Sequence, residues 1–300
     1  MDRWKISAEA ILVGIGVGVG FGILSYIFLM SHHNGMGETL FILVPVAAGF
    51  SIAMVTRKRG EAIASTLALT SPLLLLILLG KEGVLCALLA IPILLVGLGV
   101  GLVLGVLVRV LILDRAKNHT TTMGALLLLG PAMVLAGGRY EQPSLAFPRI
   151  EVIQDSVIVN APPDQVWSKI LSIDNVQASK PLLMYVGLPI PQRCALQGQG
   201  VGAKRTCYFN SGYIEETVTG WNPPYDMALT IDRTHMPGRH WLGFESAEYR
   251  LQASGTSTIL TRTTMISSRL LPRWYWRQFE RLGVESEHRY ILQDVVMRFR

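Results

Sequence analysis

The sequence predicts two structural classes in one chain: an all-α bundle of apolar helices, then an α+β domain with an antiparallel sheet and a long last helix. Three observations predict it. Only 16% of the 300 residues are charged while 50% are hydrophobic, whereas soluble domains carry about 25% charged residues. The shortage is confined to the first half: between Ile11 and Val108, charge occurs only at Glu38, within Arg57–Glu61 and at Lys81–Glu82. After Arg139 the apolar residues follow a strand period and finally a helical one.

A helix crossing hydrocarbon needs about 20 apolar residues, because nothing there satisfies a free backbone N–H or C=O. Five segments meet this description: 8–30, 39–56, 62–79, 84–113 and 120–137. The third contains Pro72, the fourth is long enough to tilt, and the fifth is the weakest, with Pro131 inside it. The run Ala10–Met30 is too long for a signal-peptide core and no small-residue cleavage site follows, so it reads as a retained span. One set of loops holds Arg3, Lys5, Arg57, Lys58, Arg59, Arg109, Arg115 and Lys117, and the opposite set holds only Lys81. Cytoplasmic loops collect Lys and Arg, which places the N-terminus inside a plasma or inner membrane. Five crossings then put the C-terminal domain outside; a fifth segment that only dips would leave it inside.

No span interior carries an ionisable residue, which argues against a channel or secondary transporter. The run GIGVGVGFG lacks the preceding strand and following polar helix of a nucleotide-binding loop. Instead Gly14, Gly18 and Gly22, and likewise Gly97, Gly101 and Gly105, recur every four residues. Such ridges let membrane helices approach closely. They are expected to join the first and fourth spans, or two copies of the chain.

The membrane domain is thus expected over 1–138, a linker rich in Gly, Pro and Ser over 139–148, and a folded domain over 149–300. Within the last, Glu151–Val159 alternates as a strand, and Pro162–Leu171 reads as a short helix with Pro at its start. Leu196–Phe209, Gly212–Trp221, Met227–Arg233, Trp241–Ala253 and Ser257–Ser267 read as strands or hairpins, separated by turn sequences such as GQGVG, NPP and ASGTS. Trp274–Met297 reads as a helix with Phe279, Leu282, Tyr290, Ile291 and Val295 apolar.

The run SVIVNAPPDQVWSKI, with Ala161, Pro162, Pro163, Val166 and Trp167, resembles the opening of START-like domains, the Bet v 1 and polyketide cyclase superfamily. The runs GQGVGAKRTCYF and YIEETVTGWNPPYDMALTI are similar to that family's central hairpins. The resemblance covers half the chain. It implies a helix-grip fold, a curved antiparallel sheet around the C-terminal helix, with a hydrophobic cavity between them. It implies ligands such as lipids, sterols or polyketides. An amphipathic helix is also too narrow to cover a strongly curved sheet, so an apolar gap is expected on physical grounds. Alternation puts Tyr249 and Leu251 on one face, and Ile259, Thr261, Thr263 and Met265 on one face of the next strand. With Phe279 and Leu282 these are the expected cavity lining.

The remaining signals are weighed against plainer readings. The net charge of +6 sits largely in loops between spans, where it orients the membrane domain rather than binding nucleic acid. Three cysteines exclude a dense disulfide framework. Cys194 and Cys207 fall opposite each other if GQGVG forms a hairpin turn, within disulfide reach; otherwise they are two small apolar side chains. His32 and His33, and His235 and His240, lack the companions of a metal site, and no cofactor motif is present. Glu215, Glu216, Glu245, Arg262 and His288 are polar candidates that no spacing ties into a triad. Arg273, Trp274, Tyr275, Trp276 and Arg277 suit a membrane interface, or core aromatics with a basic edge. Together these features lead to an expected membrane-anchored domain that binds, presents or transfers a lipid or other hydrophobic small molecule. A cyclase or hydrolase in the same cavity is the alternative, and a non-catalytic interaction module is a third reading.

Overall fold

The computed structural model describes residues 2–31, 36–56, 60–78, 83–115, 118–236 and 241–300. His32, His33, Arg57, Lys58, Arg59, Lys81, Lys117 and His240 lie outside them. The chain forms two compact units: Met1–Glu82, Cys86–Phe147 and Arg269–Pro272 make one, and Gly83–Leu85, Pro148–Ser268 and Arg273–Arg300 the other.

The first unit contains α1 (Asp2–Ser31), a π-helical turn Thr39–Leu43 leading into α2 (Val44–Val55), α3 (Glu61–Leu78), α4 (Val84–Leu111) and α5 (His119–Ala146). Three of these stretches, Ala10–Ile27, Val84–Arg115 and Thr120–Ala146, are long and apolar enough to cross a membrane, while Thr39–Val55 and Ala62–Leu78 are shorter apolar helices. All five expected segments are thus apolar helices, three of them of spanning length among the described residues. The expected linker over 139–148 is corrected, since α5 runs through it to Ala146 with Pro143 inside the helix.

The glycine ridges pack, but not on each other. A Cβ at Gly14 would stand 2.7 Å from the Ala64 carbonyl oxygen, and one at Gly18 2.9 Å from Ala68 Cα, so α1 lies against α3. A Cβ at Gly101 would stand 2.0 Å from the Val46 carbonyl oxygen and one at Gly105 2.7 Å from Ala53 Cβ, so α4 lies against α2. Small-residue spacing states how close a neighbour comes, not which helix it is. Polar groups close the helix ends: Arg109 Nη1 donates to the Thr56 carbonyl at 2.9 Å beyond α2, and Glu141 accepts from the backbone N–H groups of Glu38 and Thr39. Cations at a helix C-terminus and anions at an N-terminus complement its dipole.

The second unit is a seven-stranded antiparallel sheet in the order β1-β7-β6-β5-β4-β3-β2. Its strands are β1 (Arg149–Val159), β2 (Pro191–Gln197), β3 (Lys204–Phe209), β4 (Gly212–Asn222), β5 (Asp226–His235), β6 (Leu242–Ser254) and β7 (Ser257–Ser268). Two short helices, α6 (Pro163–Leu171) and α7 (Leu182–Tyr185), sit between β1 and β2, and α8 (Arg273–Met297) ends the chain. With α8 laid along one face, this is the helix-grip arrangement. Gly198, Gly200 and Gly202 all have positive φ in the β2–β3 loop, conformations that glycine adopts without steric penalty. Register shifts in β4 and β6 bend the sheet, as bulges do. The β5–β6 ladder runs from Asp226↔Arg250 to Thr230↔Ser246; beyond it β5 stays with β4 and β6 with β7.

A core of buried apolar side chains lies under the C-terminal half of α8. There Leu292 and Val295 meet Val159, Val166, Trp167, Val218, Met227, Leu229, Leu251 and Leu260, all nearly inaccessible. Helix α6 contributes Val166, Trp167 and Ile170 to this core.

Candidate functional site

Pairing register defines what faces α8. One rung of the sheet carries Asp155, Arg262, Tyr249 and Met227 on the same face, and a second carries Leu196, Arg205, Glu216 and Ile231. Helix α8 adds Glu287 and His288 from above. The helix phase that buries Trp276, Glu280, Val284, His288, Ile291 and Val295 points these polar groups inward.

The result is a buried charge cluster. Arg205 Nη1 donates to Glu216 Oε2 at 3.0 Å, with both side chains nearly inaccessible; Arg205 Nη2 donates to the Ile170 carbonyl at 3.3 Å. Arg262 Nη2 pairs with Glu287 Oε2 at 3.0 Å. The Tyr249 ring lies between the two guanidiniums, its centroid 5.5 Å from Arg205 Cζ and 5.4 Å from Arg262 Cζ, within cation–π range. Burial pulls the Arg205 and Arg262 pKa values down, but Glu216, Glu287 and Tyr249 outweigh it and both are raised. Burial pushes Glu287 up, aided by the nearby Glu216 and opposed by Arg262. Nε of Arg205, and Nε and Nη1 of Arg262, are buried without a hydrogen-bond acceptor among the described residues.

Beside this cluster, His288 is fully buried. Its Nδ1 is 2.7 Å from Asp155 Oδ2 and its Nε2 is 2.7 Å from Thr264 Oγ1. Burial and then the Arg262 guanidinium lower its pKa to about 2, which outweighs the favourable contact with Asp155. The neutral ring accordingly donates from Nδ1 to Asp155 and accepts the Thr264 hydroxyl at Nε2. Burial, followed by the Glu285 charge, raises the Asp155 pKa.

Toward the N-terminal half of α8 the interior combines apolar side chains with buried Glu280, which pairs with Arg149 and accepts from the Ser268 hydroxyl. Leu242 and Phe244 pack on Ile153, Ile266 and Val284, and Leu188 and Ile190 pack near Met184 and Tyr290. Leu188 Cδ1 also lies 3.7 Å from where a Gly283 Cβ would stand. Phe279 and Ile231 are half-buried at this end.

The residues expected to line a cavity divide. Tyr249 and Leu251 are on the face toward α8 and fully buried, but Thr261, Thr263 and Met265 are on the other face. Thr261 there bonds Ser156 at 2.8 Å in an exposed pair. Phe279 joins Tyr275 and Trp276 in an aromatic cluster, and Leu282 is 46% exposed, pointing outward. Of the interface candidates, Arg273 and Trp274 are exposed, whereas Tyr275 and Trp276 are buried. Arg277 is exposed but held to Glu151 at 2.6 Å. Cys194 and Cys207 pair across β2 and β3 and are disulfide-bonded. Glu216, Arg262 and His288 come together inside. Glu215 instead faces His235 at 3.9 Å in an exposed pair, and Glu245 bonds Ser267 on the far side of β7. Arg205, Glu287 and Asp155 were not singled out from sequence. Alternation from Val218 and Leu260 would have placed Glu216 and Arg262 inward and prompted a search for their partners.

No family model matches the chain, and no curated protein does. Among solved structures, the Zhui aromatase/cyclase from a Streptomyces species is 17% identical, covers 50% of this chain and 93% of its own, with TM-score 0.36. The Aha1 dimer from Colwellia psychrerythraea is 14% identical, covering 50% of this chain and 96% of its own at TM-score 0.32. A protein from Nitrosospira multiformis is 16% identical, with 50% and 97% covered and TM-score 0.32. In each case the similarity covers about half of this chain.

Proposed function

We propose that the C-terminal domain binds a hydrophobic small molecule between its sheet and the N-terminal half of α8, while the apolar helices of the first unit hold it at a membrane. The carrying observation is the make-up of the interior of the grip. Helix α8 lies across the bent antiparallel sheet with an apolar core under its C-terminal half, apolar side chains under Val284 and a buried charge cluster between sheet and helix. An apolar wall with a few convergent polar groups is the usual composition of a small-molecule site, and each buried CH₂ of a ligand contributes about 0.8 kcal/mol. The membrane half of the reading is supported by outward Leu12, Leu78, Val96, Val103 and Leu128, an apolar surface that water would penalise. With the N-terminus cytoplasmic, the loop charges favour a domain on the outer side when all five helices cross. The test is native mass spectrometry of the purified full chain beside an Ile231→Trp variant that fills the half-buried end. The expected result is an apolar molecule retained by the former and lost from the latter; identical content in both would refute the reading.

A catalytic reading ranks second and rests on the Asp155–His288–Thr264 relay, which has the carboxylate, imidazole and hydroxyl of an acyl-transfer site. A ring whose pKa is lowered to about 2 is a weak general base, since proton transfer is most efficient with a base that titrates near the working pH. Ester hydrolysis by the full chain that disappears in Thr264→Val would promote this reading; no hydrolysis would remove it.

A further inference from the structure

Resting on the membrane half of the reading above, we infer that the first turn of α8 is a bilayer contact, with Trp274 in the headgroup layer and Arg273 and Arg277 at lipid phosphates. Within the first unit, hydrogen bonds lead from α5 to the residues just before this turn. The Glu141 carboxylate, next to Tyr140 on α5, accepts from the backbone N–H groups of Glu38 and Thr39. Two residues before Glu38, the Met36 N–H donates to the Arg269 carbonyl at 3.1 Å, and the Met36 carbonyl accepts from the Leu271 N–H at 2.9 Å. Arg269–Pro272 accordingly belongs to the unit of apolar helices, and α8 starts at the next residue. The covalent chain ties the same turn a second time. Arg149 comes three residues after Ala146, the end of α5, which is about 10 Å of extended chain at most. It pairs with Glu280 of α8, and Arg277 of α8 holds Glu151 at 2.6 Å.

The side chains at this level have the chemistry of a headgroup layer. Tyr140, the one Phe, Tyr or Trp in α5, is 90% exposed, and Phe147 just beyond the helix is 81% exposed. Aromatic rings gathered at one end of an apolar helix mark the membrane–water boundary. Trp274 is 72% exposed, while Tyr275 and Trp276 beside it are buried. An indole has an apolar body and one N–H, which suits a place where one end is apolar and the other wet. Charge agrees. A helix N-terminus favours acidic side chains, yet the first turn of α8 has none and opens with Arg273. That cation does nothing for the helix, but beside an exposed tryptophan it complements phosphate. Arginine stems can lie along the apolar boundary while their guanidiniums stay at the headgroups.

The experiment measures tryptophan fluorescence of the full chain in phosphatidylcholine/phosphatidylglycerol nanodiscs whose acyl chains carry bromine, a quencher, at a shallow or a deep position. The Trp274 signal is the difference between the unaltered chain and Trp274→Phe. Two added tryptophans calibrate depth. Val103→Trp is on an exposed position within the apolar stretch Val84–Arg115. Val201→Trp is in the exposed β2–β3 loop, near Ala203 of the core under the C-terminal half of α8; that helix is about 37 Å long at 1.5 Å per residue. The expected result is that shallow bromine removes most of the Trp274 signal and deep bromine less, that Val103→Trp shows the reverse, and that Val201→Trp is quenched by neither. A Trp274 signal quenched no more than that of Val201→Trp, with Val103→Trp quenched, overturns the inference and leaves the membrane reading standing. An unquenched Val103→Trp overturns the membrane reading itself. Gln278→Trp, one turn further along the exposed side of α8, carries the same expectation as Trp274, so the test does not depend on Trp274→Phe folding.

Discussion

Lowering the pH should destabilise the C-terminal domain through one side chain, His288. In the folded state its ring is inaccessible, and Asp155 and Thr264 occupy its two nitrogens at 2.7 Å each. Its pKa falls from 6.5 to about 2. Unfolded, the same residue takes a proton near its ordinary value, so below about pH 6.5 the unfolded chain binds one proton more than the folded one. Stability from this group is complete above that value and is lost as pH falls toward the folded pKa. Each pH unit corresponds to about 1.4 kcal/mol, so the loss reaches about 2 kcal/mol near pH 5. Asp155, Glu280 and Glu287 have raised pKa values; they act in the opposite sense, gaining stability as pH falls through their folded values. The informative quantity is therefore the difference from a His288→Gln variant, which cannot titrate. Five of the six tryptophans, Trp167, Trp221, Trp241, Trp274 and Trp276, lie in the C-terminal domain. Urea unfolding followed by tryptophan fluorescence reports that domain in the full chain. The variant is expected to lose stability overall but to show a pH slope shallower by about 1.4 kcal/mol per unit between about pH 6 and 4.5. Identical slopes would mean that His288 takes up its proton while folded, and the neutral assignment would be wrong.

Three further predictions concern packing and pairing. Glu216→Leu, which strands the buried Arg205 guanidinium, should cost about 3–5 kcal/mol in the same urea assay, while Arg205→Met/Glu216→Leu should recover most of it; equal losses would show that the pair itself stabilises the fold. Gly101→Val should disrupt the contact of α4 with α2, because its Cβ would meet the Val46 carbonyl oxygen at 2.0 Å. Gly99→Val, with nothing within 4 Å, should leave the thermal unfolding of the first unit nearly unchanged, and the comparison fails if both behave alike. Replacing Cys194 and Cys207 by Ala should lower the urea stability of oxidised protein by about 3 kcal/mol, the chain-entropy value for a loop near this length, and have no such effect on reduced protein.

Much of the fold was legible because it is written in periodicity. The strand order of apolar residues located β1 and β4 to β7, and the GQGVG turn correctly set Cys194 against Cys207. The face of β7 was misread for a definable reason. Its two alternating sets are Thr258, Leu260, Arg262, Thr264, Ile266 and Ser268, and Ile259, Thr261, Thr263, Met265 and Ser267. Hydropathy favours the second set, because the first contains an arginine. Arg262 goes inside only because Glu287, on α8, meets it there, and that partner belongs to tertiary structure. The same applies to α8, where Leu282 is left outside while Glu280, Glu287 and His288 are taken in. In the first unit the glycine spacing marked contact faces truly, but Ala64 and Ala68 on α3, and Gly49 and Ala53 on α2, form matching small-residue rows. Reading those rows together with the glycines would have suggested the pairs that form.

The charge cluster raises the question of why a grip domain keeps ions in its interior. Its members come from β1, β3, β4, β6, β7 and α8, so they assemble only when the whole domain has folded. Each group alone would be buried at a penalty, and together they are only partly satisfied, since three guanidinium nitrogens lack acceptors. Stability does not require this arrangement: buried ion pairs of this kind can often be replaced by apolar side chains with no loss or with a gain. The C-terminal half of the same interior shows the apolar solution in use, with Leu260, Leu292 and Val295 closed against one another. The domain thus closes one end of its interior with apolar side chains and keeps charged groups buried beside it.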